Sequence, residues 1–489
     1  MEGSRVVIIG AGPAGIRCAQ MLVDAGLTPV VIDEQPRSGG QIYRRQPPNF
    51  KRGYKTLYGS EAAKAQALHR SADRIESKIL YYPNTSVWNV QDKIVYAHQD
   101  GQPLEIHYDS IVLCTGAIDR VMPIEGWQNA GSYTLGGAQV ALKYQGLSIG
   151  EHVTFMGTGP LLYLVAYQYV KAGADVKAVL DTSTLKDRCK GLMGLLSKPQ
   201  ALWSGLYFML QMKRAGVALY SGITPQRIAH DEQGVCGVEA KLPNGKNIQI
   251  HCDAVATGFH LKPETQLADL LGCDFSFDEL SQLWLLNTDG EGRTSVPHVY
   301  SAGDGTAILG ADAAECAGRL AALSLLQDLD PAAMVLTMTH NRQKALKQKM
   351  LKKLAQFRRF GLGLQKAFPW PAHMISELTN ETVVCRCEMI KAGEIKQSVR
   401  YKQADEVNRS KSFTRVGMGR CQGRYCEHVN RHLIAKASQH NDTFVGRQRS
   451  QAPVKPLPVD VYVHQPQIIN QIPVVNLVDE RNGESEVSA

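Results

Sequence analysis

The chain opens on an unbroken apolar run, Val6-Val7-Ile8-Ile9, that gives way at once to Gly10-Ala11-Gly12-Pro13-Ala14-Gly15. A short apolar block closed by glycines reads as a strand buried on both faces. Helical spacing then carries through Leu22 to Gly26, and a second block, Pro29-Val30-Val31-Ile32, ends on the acids Asp33 and Glu34. Strand, glycine turn, helix, strand and acid make a βαβ unit. The same order returns at Val153-Thr154-Phe155-Met156, which leads through Gly157-Thr158-Gly159-Pro160-Leu161-Leu162 into a helix to Gly173 and a strand ending at Asp181. Two further apolar blocks, beginning at Ile111 and Ala254, each run into a Thr-Gly pair, Thr115-Gly116 and Thr257-Gly258. From Asn341 to Phe360 the pattern predicts a solvated, basic helix. Leu457 to Val478, rich in proline and β-branched residues, predicts an extended arm over another domain or subunit, and the polar residues from Asp479 onward predict disorder.

Residue types in the first unit define a dinucleotide site. Gly10 permits the tight turn, Gly12 lets the backbone approach a pyrophosphate, and Gly15 lets helix and strand pack closely. Pro13 and Ala14 open a helix whose free N–H groups face the phosphates. An acid at the end of the second strand accepts from ribose hydroxyls: Glu34, 19 residues after Gly15, is the first choice, with Asp33 beside it. In the second unit Leu162 stands where the third glycine belongs, so the helix cannot approach its strand as the fingerprint requires. That disfavours NAD(P)H there and leaves another nucleotide, or no ligand, as the readings.

Composition and charge narrow the class. A length of 489 residues implies three or more domains, and 44% hydrophobic with 20% charged residues is ordinary for a globular protein. The first apolar run has no charged leader or cleavage site and no stretch reaches 18 apolar residues, so neither a signal peptide nor a transmembrane segment is expected; the expected location is cytoplasmic, with peripheral membrane association left open. The net charge of +8 is uneven. Asn341 to His440 holds 21 Lys and Arg against 7 Asp and Glu, a balance of +14 that leaves −6 elsewhere. No aromatic-interleaved basic motif accompanies it, so nucleic acid is not expected as a partner. The excess reads as a solvated helix with charge offsetting thiolates, or as a docking face for an acidic electron-transfer partner.

Four of the eleven cysteines stand apart. Cys385 and Cys387 form Cys-x-Cys; Cys421 and Cys426, after 33 intervening residues, form Cys-x4-Cys. Four thiolates on two short turns suit a [2Fe-2S] cluster or a zinc ion. The other seven are scattered singly and read as packing thiols, so no disulfide redox pair is expected. His428 and His432, four apart on a predicted helix, read as surface near the cysteines rather than as ligands.

The run Thr294 to Gly305 predicts a loop, a short strand and a turn into a helix, with Gly303 and Asp304 at the turn. On these runs the sequence resembles the two-dinucleotide-binding flavoproteins, the pyridine-nucleotide disulfide and ferredoxin reductases. The resemblance implies FAD, with Asp304 at the flavin ribitol, Gly39-Gly40-Gln41 looped over the pyrophosphate, and the Thr-Gly pairs marking the crossings between two nucleotide-binding domains. The runs Asp33–Arg44, Gly157–Leu162 and Gly417–Arg424 narrow it. They resemble the α subunits of heteromeric amine and imino-acid dehydrogenases, the group of D-hydroxyproline dehydrogenase, opine oxidases and hydrogen cyanide synthase. The tail resembles a bacterioferritin-associated-ferredoxin-like [2Fe-2S] domain, in which Cys-x2-Cys is the commoner second pair.

The expected fold class is therefore α/β, a Rossmann-like flavoprotein of the glutathione-reductase type with a small C-terminal α-rich [2Fe-2S] domain. Expected divisions are an FAD-binding domain at 1–118 plus 259–330, a second nucleotide-binding-like domain at 119–258, a basic helical linker at 331–378, the cluster domain at 379–440 and an arm and tail at 441–489. The partner implied by the resemblance is a β-type FAD oxidase or dehydrogenase subunit, joined in some complexes by a small ferredoxin-like subunit or an FMN at the subunit interface. No catalytic residue is expected in this chain. Oxidation of an amino acid, imino acid or opine would occur on the partner, with electrons relayed here. Two other readings are a stand-alone NAD(P)H-dependent flavin or ferredoxin reductase and a zinc-stabilised, non-enzymatic flavoprotein.

Overall fold

The computed structural model describes residues 4–50, 52–329 and 340–470. The expectations for 331–339 and for the chain beyond 470 lie outside the described residues. The first apolar blocks form a five-stranded parallel sheet in the order Val299–Ser301, Ser110–Leu113, Val6–Ile9, Val30–Ile32, Leu80–Tyr82. Every residue of Val6–Ile9, Val30–Ile32 and Ser110–Leu113 is buried, as unbroken apolar strands require. Because the chain leaves Val6–Ile9 toward one side and later returns on the other, the order reverses at this strand, and the crevice at its carboxyl end is the place for a ligand. The helices Pro13–Asp24 and Ala311–Leu329 cross there, so close that a Cβ at Gly318 would lie 2.1 Å from the Ala14 carbonyl oxygen.

A second parallel sheet runs in the order Ala218–Ser221, Asp175–Asp181, His152–Thr158, Ala254–Phe259, Ser132–Thr134. The two crossings between the nucleotide folds pair with each other: Ala117–Asp119 runs antiparallel to Leu261–Pro263, with Ile118 opposite Lys262. One two-stranded ribbon thus carries both crossings. An antiparallel sheet, Thr85–Gln91, Ile94–Gln99 and Gln102–His107, takes the C-terminal segment Gln467–Ile469 as a fourth strand.

The cysteine region is a short hairpin, Val383–Cys385 with Ile390–Lys391, followed by the helices Ala392–Lys402, Val407–Thr414 and Glu427–Ser438. Its core is continuous with that of the second nucleotide fold, since Val384, Ile395, Val429 and Leu433 share one buried cluster with Val121, Met122 and Trp127. The Trp127 indole donates to the Val383 carbonyl at 2.6 Å.

The basic segment differs from a solvated linker. It is a helix from His340 to Ala367 that buries Met350 and Leu354 against Leu320 and Leu323. Near its end it meets the helix Leu185–Leu195 closely at glycines: a Cβ at Gly191 would lie 2.3 Å from the Gly363 carbonyl oxygen, and one at Gly194 2.5 Å from the Gly363 Cα. Glycine costs a helix about 1 kcal/mol of propensity, and here it permits backbone-to-backbone packing. Among the described residues no helix is long and apolar enough to cross a membrane.

Gly363→Val inserts side-chain atoms where only backbone fits, so a loss of about 3 kcal/mol is expected. A lower apparent Tm checks this, with Lys352→Ala on the exposed side leaving it unchanged.

Candidate functional site

The glycine loop is built by close approach. Gly10 has φ +107°, and a Cβ there would meet the Cys114 carbonyl oxygen at 2.3 Å; one at Gly15 would meet the Gly10 oxygen at 1.8 Å. The helix Pro13–Asp24 begins with neither a side-chain cap nor an acid in its first turn, so its leading N–H groups remain for an anion. Gly40 folds over this loop: a Cβ on it would lie 2.9 Å from the Gly12 Cα, and the Gly39 N–H donates to the Ala11 carbonyl at 2.9 Å. Gln41, beside them, accepts from Arg44. A cavity lined by Ala11, Val31, Arg37, Ser38, Arg45 and Tyr81 continues from the slot.

The two acids are placed on different sides of the chain. The strand ends at Ile32, and the next two residues point to opposite sides. Asp33 turns inward, where its carboxylate accepts from the Ala11 N–H at 2.5 Å and the Gln35 N–H at 2.7 Å, and burial pushes its pKa up. Glu34 turns away, bonded to the Ser86 hydroxyl and paired with Lys455 at 2.8 Å. Asp33, not Glu34, is the acid at the loop.

The second half of the slot comes from the distant turn. Gly303, at φ +83°, presses on Ala14, whose Cβ would lie 2.9 Å from a Cβ at that glycine. The Asp304 carboxylate is raised in pKa by burial and accepts from the N–H groups of Leu309 (3.0 Å) and Gly310 (3.1 Å), both on Oδ1. Thr115 and Gly116 complete the crevice: the Thr115 hydroxyl would lie 3.0 Å from a Cβ at Gly305 and donates to the Glu264 carbonyl at 2.6 Å. The structure thus brings Gly10–Gly15, Asp33, Gly40, Thr115–Gly116 and Gly303–Asp304 together and leaves Glu34 outside.

The four cysteines converge as two pairs, Cys385 with Cys426 and Cys387 with Cys421. A hydrogen bond from the Cys426 thiol, joined by the N–H groups of Gly417, Glu388 and Cys387, outweighs burial and holds Cys385 down to about 6; Cys426 is pushed up in return. A Cβ at Gly419 would lie 2.4 Å from that of Cys387, so the turn between the pairs admits only glycine at this point. Among the described residues no three His, Cys, Asp or Glu side chains close on one point as ligands of a single ion. Two pairs of thiols suit a binuclear centre, in which each iron takes two thiolates, better than one tetrahedral ion. His428 is buried rather than on the surface: its Nε2 lies 2.9 Å from the Val121 carbonyl oxygen and burial lowers its pKa.

Between the two sites lies a seam of buried polar contacts. Arg424, in the loop between Cys421 and Cys426, forms an ion pair with Glu264 at 2.7 Å, both side chains about a tenth exposed. The same guanidinium donates to the Val454 carbonyl at 2.6 Å and the Cys421 carbonyl at 3.3 Å, while the Gln266 amide donates to the Gln422 carbonyl at 2.6 Å. Thr115, Glu264, Arg424 and Cys421 therefore form one run of contacts from the glycine-loop side to the cysteines. Sequence reasoning missed Glu264. An arginine placed between two cysteines was the available signal, since a buried cation needs an acid.

The second nucleotide fold is closed by its own side chains. Leu162 is fully buried. Asp181, at the end of the strand where a ribose acceptor belongs, accepts from the Tyr163 hydroxyl (2.7 Å), the Ser183 N–H (2.7 Å) and Arg188 (2.9 Å). The Arg188 guanidinium stands over the Phe368 ring, and His260, next to Gly159, bonds the Phe368 carbonyl at 2.6 Å.

Comparison with known proteins matches residues 4–322 to the pyridine nucleotide-disulphide oxidoreductase family and residues 383–436 to the BFD-like [2Fe-2S] binding domain. An opine oxidase subunit of Rhizobium meliloti is 34% identical over 464 residues, covering 92% of this chain and 86% of that one. Hydrogen cyanide synthase subunit HcnB of Pseudomonas aeruginosa is 28% identical, covering 94% of this chain and 98% of that one. The crystal structure of L-proline dehydrogenase from P. horikoshii shares the fold, with a TM-score of 0.64 at 18% identity over 94% of this chain and 79% of that one.

Asp33→Ala is expected to purify with several-fold less flavin than Glu34→Gln, which retains it; absorbance at the flavin band against protein checks this. Arg424→Met leaves the buried Glu264 carboxylate without its cation and is expected to cost about 3 kcal/mol, while the double change with Glu264→Gln recovers most of it. Urea denaturation of the single and double variants measures both.

Proposed function

This chain belongs to the pyridine nucleotide-disulphide oxidoreductase family and carries a BFD-like [2Fe-2S] domain, and from that premise we propose that it is the electron-relay subunit of a heteromeric dehydrogenase or oxidase acting on a C–N bond. It is an FAD-dependent oxidoreductase with a [2Fe-2S] cluster, and its relatives are subunits, so it works with partner subunits. FAD takes up electrons in pairs and the cluster passes them singly. In the proposed arrangement the N–H groups at the start of the helix Pro13–Asp24 hold the pyrophosphate, Asp33 accepts from the ribose, and Asp304 offers Oδ2 to the ribitol. Cys385, Cys387, Cys421 and Cys426 hold the cluster, with backbone N–H groups on the Cys385 sulfur making the thiolate less costly.

The observation that carries this reading is the seam, in which Glu264 and Arg424 tie the flavin-side crossing at Thr115 directly to the cysteine loop. Two cofactor loops locked by a buried ion pair keep a fixed separation, which a relay needs. The partner fits a β-type FAD subunit that removes the hydride from an amino acid, imino acid or opine. The opine oxidase and hydrogen cyanide synthase relatives support that substrate class. A stand-alone NAD(P)H reductase is disfavoured, because Asp181 already accepts from three donors of its own chain.

Anaerobically purified protein should contain FAD with about two irons and two sulfides per chain and give a rhombic EPR signal after dithionite reduction. Cys387→Ser should abolish that signal with flavin retained. One zinc and no iron, or rapid NADH oxidation by the isolated chain with a dye acceptor, would falsify the relay.

A further inference from the structure

Two consecutive helices turn their apolar residues outward. On Pro199–Arg214, Trp203, Leu206, Tyr207 and Leu210 recur at the i, i+3, i+4, i+7 spacing that in a globular domain faces the core, yet Trp203 is 71% exposed and the other three about half exposed. On Leu185–Leu195 and the residue that ends it, Leu185, Met193 and Leu196 are 74%, 83% and 52% exposed. Single exposed leucines are normal, but large apolar residues exposed in this number on two successive helices mark an interaction surface.

The charge around this stripe is one-sided. Residues 185–214 hold six Lys and Arg against one acid, Asp187; Arg188, Lys190 and Lys198 pair with Asp181, Asp187 and Asp312, while Lys186, Lys213 and Arg214 are exposed with no ion pair among the described residues. The helix His340–Ala367, packed on the first of the pair near Gly363, adds exposed Arg358, Arg359 and Lys366 close to that contact. The basic excess of the C-terminal half thus borders the apolar stripe, a relation that thiolate neutralisation does not explain.

We infer that this three-helix face docks on an anionic lipid bilayer, with the helices in the plane of the interface. Trp203, Leu206, Leu210 and Met193 enter the acyl boundary, and the flanking lysines and arginines meet headgroup phosphates. A second copy of the chain fits poorly, since a symmetric contact through this face would set basic rim against basic rim. The inference is independent of the relay reading, because lipid binding is read without electron transfer.

The test mixes the purified, flavin-loaded chain with vesicles of phosphatidylcholine alone or of phosphatidylcholine with phosphatidylglycerol. Co-sedimentation with the anionic vesicles only, weakened by salt, is expected. Combined Trp203→Ser, Leu206→Ser and Leu210→Ser should weaken binding by roughly tenfold or more with the flavin spectrum unchanged. Lys213→Glu with Arg214→Glu should remove the salt-sensitive part. Failure of the unaltered chain to bind either vesicle overturns the inference. So does a triple variant that binds as the unaltered chain does, or one that, without lipid, loses the partner subunit or changes oligomeric state.

Discussion

The ion pair between Glu264 and Arg424 is the contact on which the arrangement of the two sites depends. Both side chains are about a tenth exposed, so each charge has given up most of its water, and the pair holds only because each partner remains. Such a pair adds little net stability over an apolar pair of the same size. It fixes register: Arg424 reaches Glu264, Cys421 and Val454 with one planar group, and no shifted arrangement of the cysteine loop satisfies all three. The arm that carries Val454 also anchors Arg447 and the Ser450 N–H on Asp269, so the C-terminal segment straps the cysteine domain to the first nucleotide fold.

Backbone approach is the second constraint, and it separates the two nucleotide folds. In the first, Gly10, Gly15 and Gly318 let the strand, the helix Pro13–Asp24 and the helix Ala311–Leu329 close without side chains between them. In the second, Gly157 still allows the crossing with Gly258, but Leu162 fills the space where a third glycine would bring helix to strand. With the phosphate cradle changed, Tyr163, Ser183 and Arg188 satisfy Asp181 from within the chain. The same topology thus gives a slot in one fold and a packed core in the other.

What was legible in the sequence follows from this. The glycine loop, the Thr-Gly crossings, the Gly303–Asp304 turn and the four cysteines are local patterns whose residue types are dictated by chemistry within a few positions, and the structure assembles them. The choice between Asp33 and Glu34 was not legible, because it depends on the strand ending at Ile32, and one residue of slip exchanges inside for outside. Glu264 was hidden for another reason: an arginine between two cysteines signals that an acid is needed, but 160 residues separate the pair and nothing local says which acid it is. The basic helix looks solvated in sequence because its cations dominate its composition. Its packing rests on Met350, Leu354 and Gly363, and a glycine inside a helix reads as a weakness until the backbone it admits is known.

These constraints together distribute the chain's surfaces among different tasks. The crevice and the cysteine loop are held in place by buried groups. The second nucleotide fold, whose Asp181 is bonded within the chain, gives its outer layer to the helices Leu185–Leu195 and Pro199–Arg214. Their apolar stripe faces away from the sheet, and the glycine contact at Gly363 fixes the basic helix beside it. That outer layer can present a charged and apolar face to a surface outside the chain. The positive balance between Asn341 and His440 then has a structural place next to that face, as well as beside the cysteines.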